Sequence, residues 1–188
     1  MLKLFLALSL ATTMSSSAMA RSARSRGDQR ASLVQLLSAY ELTLQRPALD
    51  TIGRDIPELL MDIANTPRER PQVRVRAVAA MALYPSTEIQ AFLRAQLWER
   101  TWVGSSLGVQ MRNQAMRSLG RGFGERAVQD IASLKDDTDP LVREGVAIAL
   151  LDTQSDLAVP VLEAWLPQES SFTVRDKIDR VLQKLKGM

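Results

Sequence analysis

Arginines recur at near-regular intervals in this sequence, and they are the residues whose type and spacing could bind a ligand. Arg112, Arg143 and Arg175 are 31 and 32 residues apart, and Arg76 or Arg74 fits the same pattern nearer the start. A row of guanidinium groups at equivalent positions could hold an acidic peptide or a phosphate-bearing ligand through paired hydrogen bonds. The alternative, which we favour, is that these arginines keep neighbouring structural repeats in register through ion pairs.

Three further residues are candidates for contact with a partner. Arg117 lies one helical turn beyond Arg112 and has no equivalent arginine elsewhere in the pattern. Trp98 and Trp102 border the longest predicted connection, residues 101–108, and tryptophan often anchors interfaces. Trp98 also continues the apolar face of its predicted helix, so a core position is favoured for it, whereas both positions stay open for Trp102. The predicted partner-binding residues are Trp102, Arg117, Arg112, Arg143 and Trp98.

The composition excludes most familiar catalytic and metal chemistry. The sequence contains no cysteine and no histidine. Disulfides, thiolate nucleophiles, zinc sites built from Cys and His, and every Ser-His or Cys-His dyad are therefore absent. We accordingly expect a protein that is not an enzyme and needs no cofactor.

Two short motifs resemble ion sites only in part. The closely spaced glycines of 120–124 could form an anion-binding nest, but they lack the spacing of dinucleotide or Walker motifs. A turn that closes a helix at Gly120 is favoured. The acidic run Asp136-Asp137-Thr138-Asp139 lacks the glycine and the distal glutamate of an EF-hand. Helix capping and solvated carboxylates explain it better than calcium binding.

The charge balance argues against nucleic acid as the partner. Lys and Arg total 24 against 21 Asp and Glu, which gives a formal net charge of +3. A nucleic-acid-binding chain typically shows a larger excess or a basic stripe. The predicted partner is instead a protein or peptide, whose identity the sequence does not specify.

The first twenty residues resemble a signal peptide. A basic start at Lys3 precedes a short apolar run, and small residues lead up to Ala20. The apolar run is too short to span a bilayer, so no stable membrane anchor is predicted. Cleavage after Ala20 would place the protein outside the cytoplasm, in the periplasm of a bacterium. A mitochondrial transit peptide is the rival interpretation, because residues 1–26 contain several basic residues and no acid.

A basic polar linker is predicted over residues 21–27. Its Arg21, Arg24 and Arg26 could contact an anionic membrane surface. A flexible tail between the cleavage site and the folded domain is the interpretation that we favour.

Apolar residues spaced three and four apart predict a series of amphipathic helices over residues 28–187, which we treat as one domain. A capping helix is predicted over 28–46, with Asp28 at its start and Pro47 after its end. Four helix pairs follow, each with a first helix (A) and a second helix (B). They span about 54–85, 86–121, 122–153 and 154–187, and the register of the first pair stays open.

The most specific helix start is Asp139-Pro140-Leu141-Val142-Arg143, with an aspartate N-cap and a proline at the first helical position. Capping boxes are predicted for two A helices, at Asp55-Ile56-Pro57-Glu58 and Thr87-Glu88-Ile89-Gln90. A helix that cannot bury its own apolar face must stack on its neighbours. The sequence motif that recurs in the B helices, an apolar residue followed by arginine, therefore predicts an all-α repeat fold.

These motifs resemble HEAT repeats. The resemblance rests on the early proline of the A helices, in Ile56-Pro57-Glu58-Leu59-Leu60 and Val159-Pro160-Val161-Leu162, and on Asp-Pro-x-Val-Arg opening a B helix. It covers about residues 54–187, is looser in the second pair, and is nearest to the short HEAT-like repeats related to phycobiliprotein lyases. It implies a right-handed α-α superhelix, that is, a HEAT-type solenoid of about four helix pairs plus an N-terminal capping helix.

The resemblance further implies that the B helices line a concave, protein-binding face, and that the arginine of each B helix pairs with an aspartate such as Asp139. We therefore expect a non-catalytic scaffold of the cell envelope that binds a protein or peptide. A lyase-like or accessory role in cofactor attachment is the alternative, and a curved nucleic-acid-binding array is a weaker one. The oligomeric state stays open.

Overall fold

A computed structural model describes residues 26–39, 43–100 and 104–187 of the chain. The predicted signal peptide, Arg21, Arg24 and Trp102 lie outside these ranges. Within them every regular element is a helix. The helices are α1 (26–37), α2 (Arg46–Asp50), α3 (Ile56–Asn65), α4 (Pro71–Met81), α5 (Thr87–Leu97), α6 (Ser106–Phe123), α7 (Val128–Ala132), α8 (Pro140–Asp152), α9 (Ala158–Trp165) and α10 (Phe172–Lys186). A short 3₁₀ segment, Gly124–Ala127, leads into α7, and another, Leu166–Gln168, follows α9.

The helices form four pairs that stack side by side, which confirms the predicted all-α solenoid. The A helices are α3, α5, α7 and α9, and the B helices are α4, α6, α8 and α10. Each A helix packs on the B helix of its own pair, and the B helices contact one another in chain order. The B helices therefore form one continuous layer of the molecule.

One buried apolar residue anchors every B helix at the same point. It directly precedes the recurring arginine, and its exposure is 1% or less in all four pairs: Val73, Met111, Val142 and Val174. Burying an aliphatic side chain of this size contributes about 1.5–3 kcal/mol. The residue before each recurring arginine thus lies in the core of the array.

The cap predicted for the start of α8 is confirmed, whereas the two predicted capping boxes do not form as predicted. The Asp139 carboxylate accepts a hydrogen bond from the Leu141 N–H at 2.9 Å, with Pro140 at the first helical position. Asp55 occupies the N-cap of α3 but its side chain makes no capping bond, since its ψ of 33° departs from the extended backbone usual at a cap. The N-cap of α5 is Ser86 rather than Thr87, and the Ser86 hydroxyl accepts from the Ile89 N–H at 3.2 Å.

The N-terminal capping helix is shorter than predicted. Asp28 lies inside α1 rather than at its N-cap, and α1 ends at residue 37 instead of 46. Pro47 does not follow a helix but lies in the first turn of α2. A proline is well accommodated there because its missing N–H would have no partner in the first turn.

Helix α6 continues through the glycines that were predicted to end it. It runs to Phe123, and the break comes at Gly124, whose φ of 55° is in the left-handed region that favours glycine. A Cβ at Gly120 would lie 2.6 Å from the Ala149 carbonyl oxygen of α8. A Cβ at Gly122 would lie 3.2 Å from the Ala82 carbonyl oxygen, just after α4. These glycines therefore allow close approach of the neighbouring repeats, and the segment is neither a turn nor an anion-binding nest.

Substituting alanine at Gly120 should destabilise the fold by about 2 kcal/mol, because the obstructing atom is a backbone oxygen that cannot rotate away. Urea unfolding followed by circular dichroism measures this directly. Gly27→Ala is the matched control, since nothing lies within 4 Å of a Cβ there. Equal unfolding midpoints for Gly120→Ala and the unmodified protein would contradict the packing argument.

Candidate functional site

The recurring arginines of α6 and α8 bind carboxylates that belong to the next repeat. Nη2 of Arg112 pairs with the Asp137 carboxylate. Nε and Nη2 of Arg143 donate to the two carboxylate oxygens of Glu169 at 2.8 and 2.9 Å. All four side chains are largely buried, the Glu169 side chain with an exposed fraction of only 3%. We call each such pair an arginine lock.

The acid of each lock also fixes the start of its own B helix. Asp137 accepts from the N–H of the N-cap residue Asp139 at 2.9 Å. Glu169 likewise accepts from the N–H of the N-cap residue Ser171 at 2.8 Å. The acid in both cases stands two residues before the N-cap, so one carboxylate joins the helix start to the preceding repeat.

The arginine of a B helix also binds the backbone of the loop in front of it. Nη1 of Arg143 donates to the Asp137 carbonyl at 2.7 Å. In the last pair, Nη1 of Arg175 donates to the Glu169 carbonyl at 2.9 Å and to the Ser170 carbonyl at 3.2 Å. Each loop is therefore held between two successive arginines, by its carboxylate on one side and its carbonyls on the other.

The N-terminal repeats use the same chemistry with different residues. Arg30 of α1 donates to Asp62 at 2.7 Å and to Glu69, in the loop before α4, at 2.8 Å. Nε of Arg74 binds the Ala64 carbonyl at 2.9 Å, in a largely buried position. Arg76 donates to the carbonyls of residues 37 and 39, at 2.8 and 2.6 Å. Arg74 and Arg76, the two candidates in the first repeat, thus bind backbone carbonyls at or just after the ends of helices.

These contacts support the interpretation that the recurring arginines keep neighbouring repeats in register, with one correction. The acid that pairs with an arginine is Asp137 or Glu169, and not Asp139, because the Asp139 carboxylate is used as the cap of α8. The Arg143 guanidinium lowers the pKa of the Glu169 carboxyl below its usual value, against the opposing effect of burial. The same hydrogen bonds raise the pKa of Arg143.

Replacing Glu169 with glutamine should destabilise the protein by about 3 kcal/mol at neutral pH, because it leaves the Arg143 guanidinium buried without its charge partner. The pKa of Glu169 is lower in the folded chain, so its contribution is present above about pH 4.3 and is lost as the pH falls through the folded-state value. Urea unfolding from pH 7 to pH 3 should show the difference between the two proteins narrowing at acid pH.

Glu163→Gln provides the matched control for that substitution. Glu163 pairs with Lys186 at 2.7 Å, but both side chains are about half exposed. Its loss should change the free energy of unfolding by less than about 1 kcal/mol. Equal effects of the two substitutions would show that the lock contributes no more than a surface ion pair.

A groove of about 360 Å³ lies on the surface of the B-helix layer, where α6 runs between α4 and α8. We call it the B-helix groove. Its apolar walls are Val75 of α4, Val109 of α6, and Leu141 and Ile148 of α8. The polar residues that line it are Gln110, Asn113, Gln114, Arg117 and Glu144. Leu141 is 57% exposed.

The floor of the groove is built by one close contact between α6 and α8. The Asn113 side chain donates to the Leu141 carbonyl at 3.1 Å. The side-chain oxygen of Asn113 lies only 2.1 Å from the position that a Cβ atom at residue 145 would occupy. Glycine at 145 is therefore needed to seat Asn113. On the other side, the buried Ser118 hydroxyl donates to the Val78 carbonyl at 2.8 Å and ties α6 to α4.

Arg117 lines this groove and is paired with an acid of the next repeat. Its Nε donates to Asp152 Oδ2 at 2.8 Å, and Arg121 lies 3.3 Å from the other oxygen of the same carboxylate. The Arg117 side chain stays 37% exposed. It can therefore border a bound ligand, with its charge already compensated by Asp152.

The predicted site residues do not form one cluster. Arg112 and Arg143 belong to the locks, Arg117 lines the B-helix groove, and Trp102 lies outside the described residues. The core position predicted for Trp98 is wrong, because it is 61% exposed just after the end of α5. The helix ends at Leu97, so the apolar periodicity no longer sets the direction of the next side chain.

Sequence reasoning missed the groove residues Asn113, Leu141, Gly145 and Ile148. Leu141 carried a usable signal, since a large apolar residue at the second position of a helix points away from the stripe that Val142 and Val146 define. Asn113 and Gly145 carried no such signal, because the two residues belong to different helices and lie 32 positions apart in the sequence.

A second pocket of about 410 Å³ lies between the A helices α7 and α9, and Trp165 is one of its lining residues. Its lining contains one charged residue, Lys135, and small or amide side chains. Across the described ranges no cluster of acidic side chains has the arrangement of a metal site. Nor does any helix there have the length and hydropathy to cross a membrane.

The paired helices and the continuous layer of B helices define an α-helical repeat protein. Residues 109–183, from α6 into α10, match the family model of HEAT repeats. The match supports a HEAT-repeat family for this segment, which contains both arginine locks. Comparison with curated proteins found no match to this chain. The nearer relation to phycobiliprotein-lyase repeats stays a prediction.

Proposed function

We propose that this protein is a non-catalytic scaffold that binds a peptide segment of a partner protein in the B-helix groove. HEAT repeats commonly bind proteins on the concave face that their B helices line. The observation that carries the proposal is the groove itself, with an exposed Leu141 and three further aliphatic side chains around a floor of amide groups.

The charges of the groove indicate what kind of peptide would fit. Arg117 is compensated by Asp152. Glu144 lines the groove, and no ion pair to it occurs within the described ranges. A segment with apolar side chains for Leu141 and Ile148 and one basic residue for Glu144 would therefore be complementary. Side-chain amides at Gln110 and Gln114 can bind its backbone.

The cell envelope is the proposed location, and the support comes from residues 1–20. A basic residue, an apolar stretch too short to span a bilayer, and small residues before Arg21 together form the pattern that a signal peptidase recognises. The alternative role in cofactor attachment retains the support of the sequence resemblance alone. Nucleic-acid binding is disfavoured because Arg112 and Arg143 of the B helices are paired with acids of the chain.

Photoreactive side chains at Gln110 and Gln114 should crosslink the same protein in living cells, and Leu141→Asp should lower that yield about tenfold, as expected for loss of a central apolar contact. Mass spectrometry of the adducts measures both. Ala91, exposed on the A helix α5, is the matched control position. Equal yields of the same adduct from Ala91, or yields that Leu141→Asp leaves unchanged, would rule out the groove as the binding site.

N-terminal sequencing of the protein purified from an envelope fraction should yield Arg21 as the first residue. The expected reason is cleavage after Ala20 during export. A protein that retains Met1 and remains with the cytoplasmic fraction would refute the proposed location. The groove proposal would be unaffected by that result.

A further inference from the structure

The last B helix, α10, has an arginine like those of the locks, and no acid of the described residues covers it. Nη1 of Arg175 binds the carbonyls of Glu169 and Ser170, as Nη1 of Arg143 binds its own loop. In Arg143 the remaining edge, Nε and Nη2, binds both oxygens of Glu169. The same edge of Arg175 has no acceptor within residues 26–39, 43–100 and 104–187, and the residue is exposed.

The same helix begins with an exposed aromatic residue. Phe172 is 76% exposed, the largest value among the exposed large apolar residues of the described chain. It lies three positions before Arg175, so the two side chains project from the same side of the helix. Arginine and aromatic residues are the types that most often dominate the energy of an interface.

We propose that Arg175 and Phe172 form a second docking surface, which binds a partner protein that presents a carboxylate two residues before the N-cap of one of its helices. The locks Arg112–Asp137 and Arg143–Glu169 define the chemistry of the occupant: the arginine receives an acid whose other hydrogen bond is to the N-cap N–H of the helix that follows it. An apolar side chain of the partner covers Phe172. The surface is separate from the B-helix groove.

A second copy of the chain does not provide that occupant. In its first repeat, the start of α4 offers no such acid. The residue two positions before the N-cap of α4 is Arg68, which would repel Arg175. The neighbouring Glu69 is already bound to Arg30 at 2.8 Å. Charge complementarity therefore favours a different protein.

The test uses the full chain, labelled with ¹⁵N, and a synthetic peptide of residues 167–186 as a defined probe. The peptide carries Glu169 two residues before its own helix start, and a staple between its exposed positions 179 and 183 keeps it helical. The Nε–H resonance of Arg175, assigned by its loss in Arg175→Lys, should shift in a saturable manner. A Glu169→Gln peptide should titrate about tenfold more weakly, as expected for loss of a charge-assisted pair.

Two variants of the full chain complete the test. Arg175→Lys keeps the charge but loses the planar fork, so the native peptide should bind it about tenfold more weakly, as followed on backbone amides of α10. Lys184→Gln removes a charge from an exposed position of the same helix and should leave binding unchanged.

Four results would overturn the proposal. The first two are absence of any shift of the Arg175 resonance and equal affinities for the native and Glu169→Gln peptides. The third is a shift of the Arg143 resonance at lower peptide concentration than that of Arg175, caused by displacement of the internal loop. The fourth is a shift of the Arg175 resonance with phosphatidylglycerol vesicles as large as that with the peptide. A shift that appears on raising the concentration of the chain alone would assign the surface to a second copy instead. Leu141→Asp should not alter the titration, which separates this surface from the groove.

Discussion

The arrangement of the C-terminal repeats depends on a carboxylate two residues before the N-cap of each B helix. Asp137 and Glu169 accept the N-cap N–H of their own helix and receive the arginine of the preceding repeat. One side chain thus determines both where a helix begins and how it sits against its neighbour. Because both partners are largely buried, the geometry must be satisfied as a whole, since a buried charge without its partner is costly. The repeats are therefore registered by charge, while small aliphatic side chains supply the core.

How much of this could be predicted from the sequence differs between the helices and their contacts. Periodicity and the Val-Arg phrase predicted four helix pairs, because an apolar stripe can be recognised within one helix. The partner of the arginine was not found, since Asp139 belongs to the conspicuous motif and caps its own helix. The end of α6 was misplaced at Gly120 for a related reason. Glycine lowers helix propensity, but here it admits the Ala149 carbonyl of another repeat, which a single helix does not reveal.

The candidate binding surface was less predictable than the fold, because it consists of what the repeats leave uncovered. Arg112 and Arg143 stood out by their spacing, and that regularity marked them as parts of the stack. Residues that depart from the repeat proved more informative: Arg117 does line the groove, and Leu141 is exposed next to the buried Val142. Trp98 shows the limit of that reasoning, since its direction changed where α5 ended.

The two surfaces that we infer differ in the chemistry they would recognise, and the locks explain the difference. Within the array, Arg112 and Arg143 are paired with acids of the next repeat. The groove is left with aliphatic walls, amides, the carboxylate of Glu144, and Arg117, whose charge Asp152 compensates. At α10 the same arginine has no following acid in the described chain, and its charge remains available. A partner at Arg175 must therefore bring an acid, whereas a peptide in the groove would bring apolar side chains and a basic residue. One protein could satisfy both surfaces only with two segments of opposite charge.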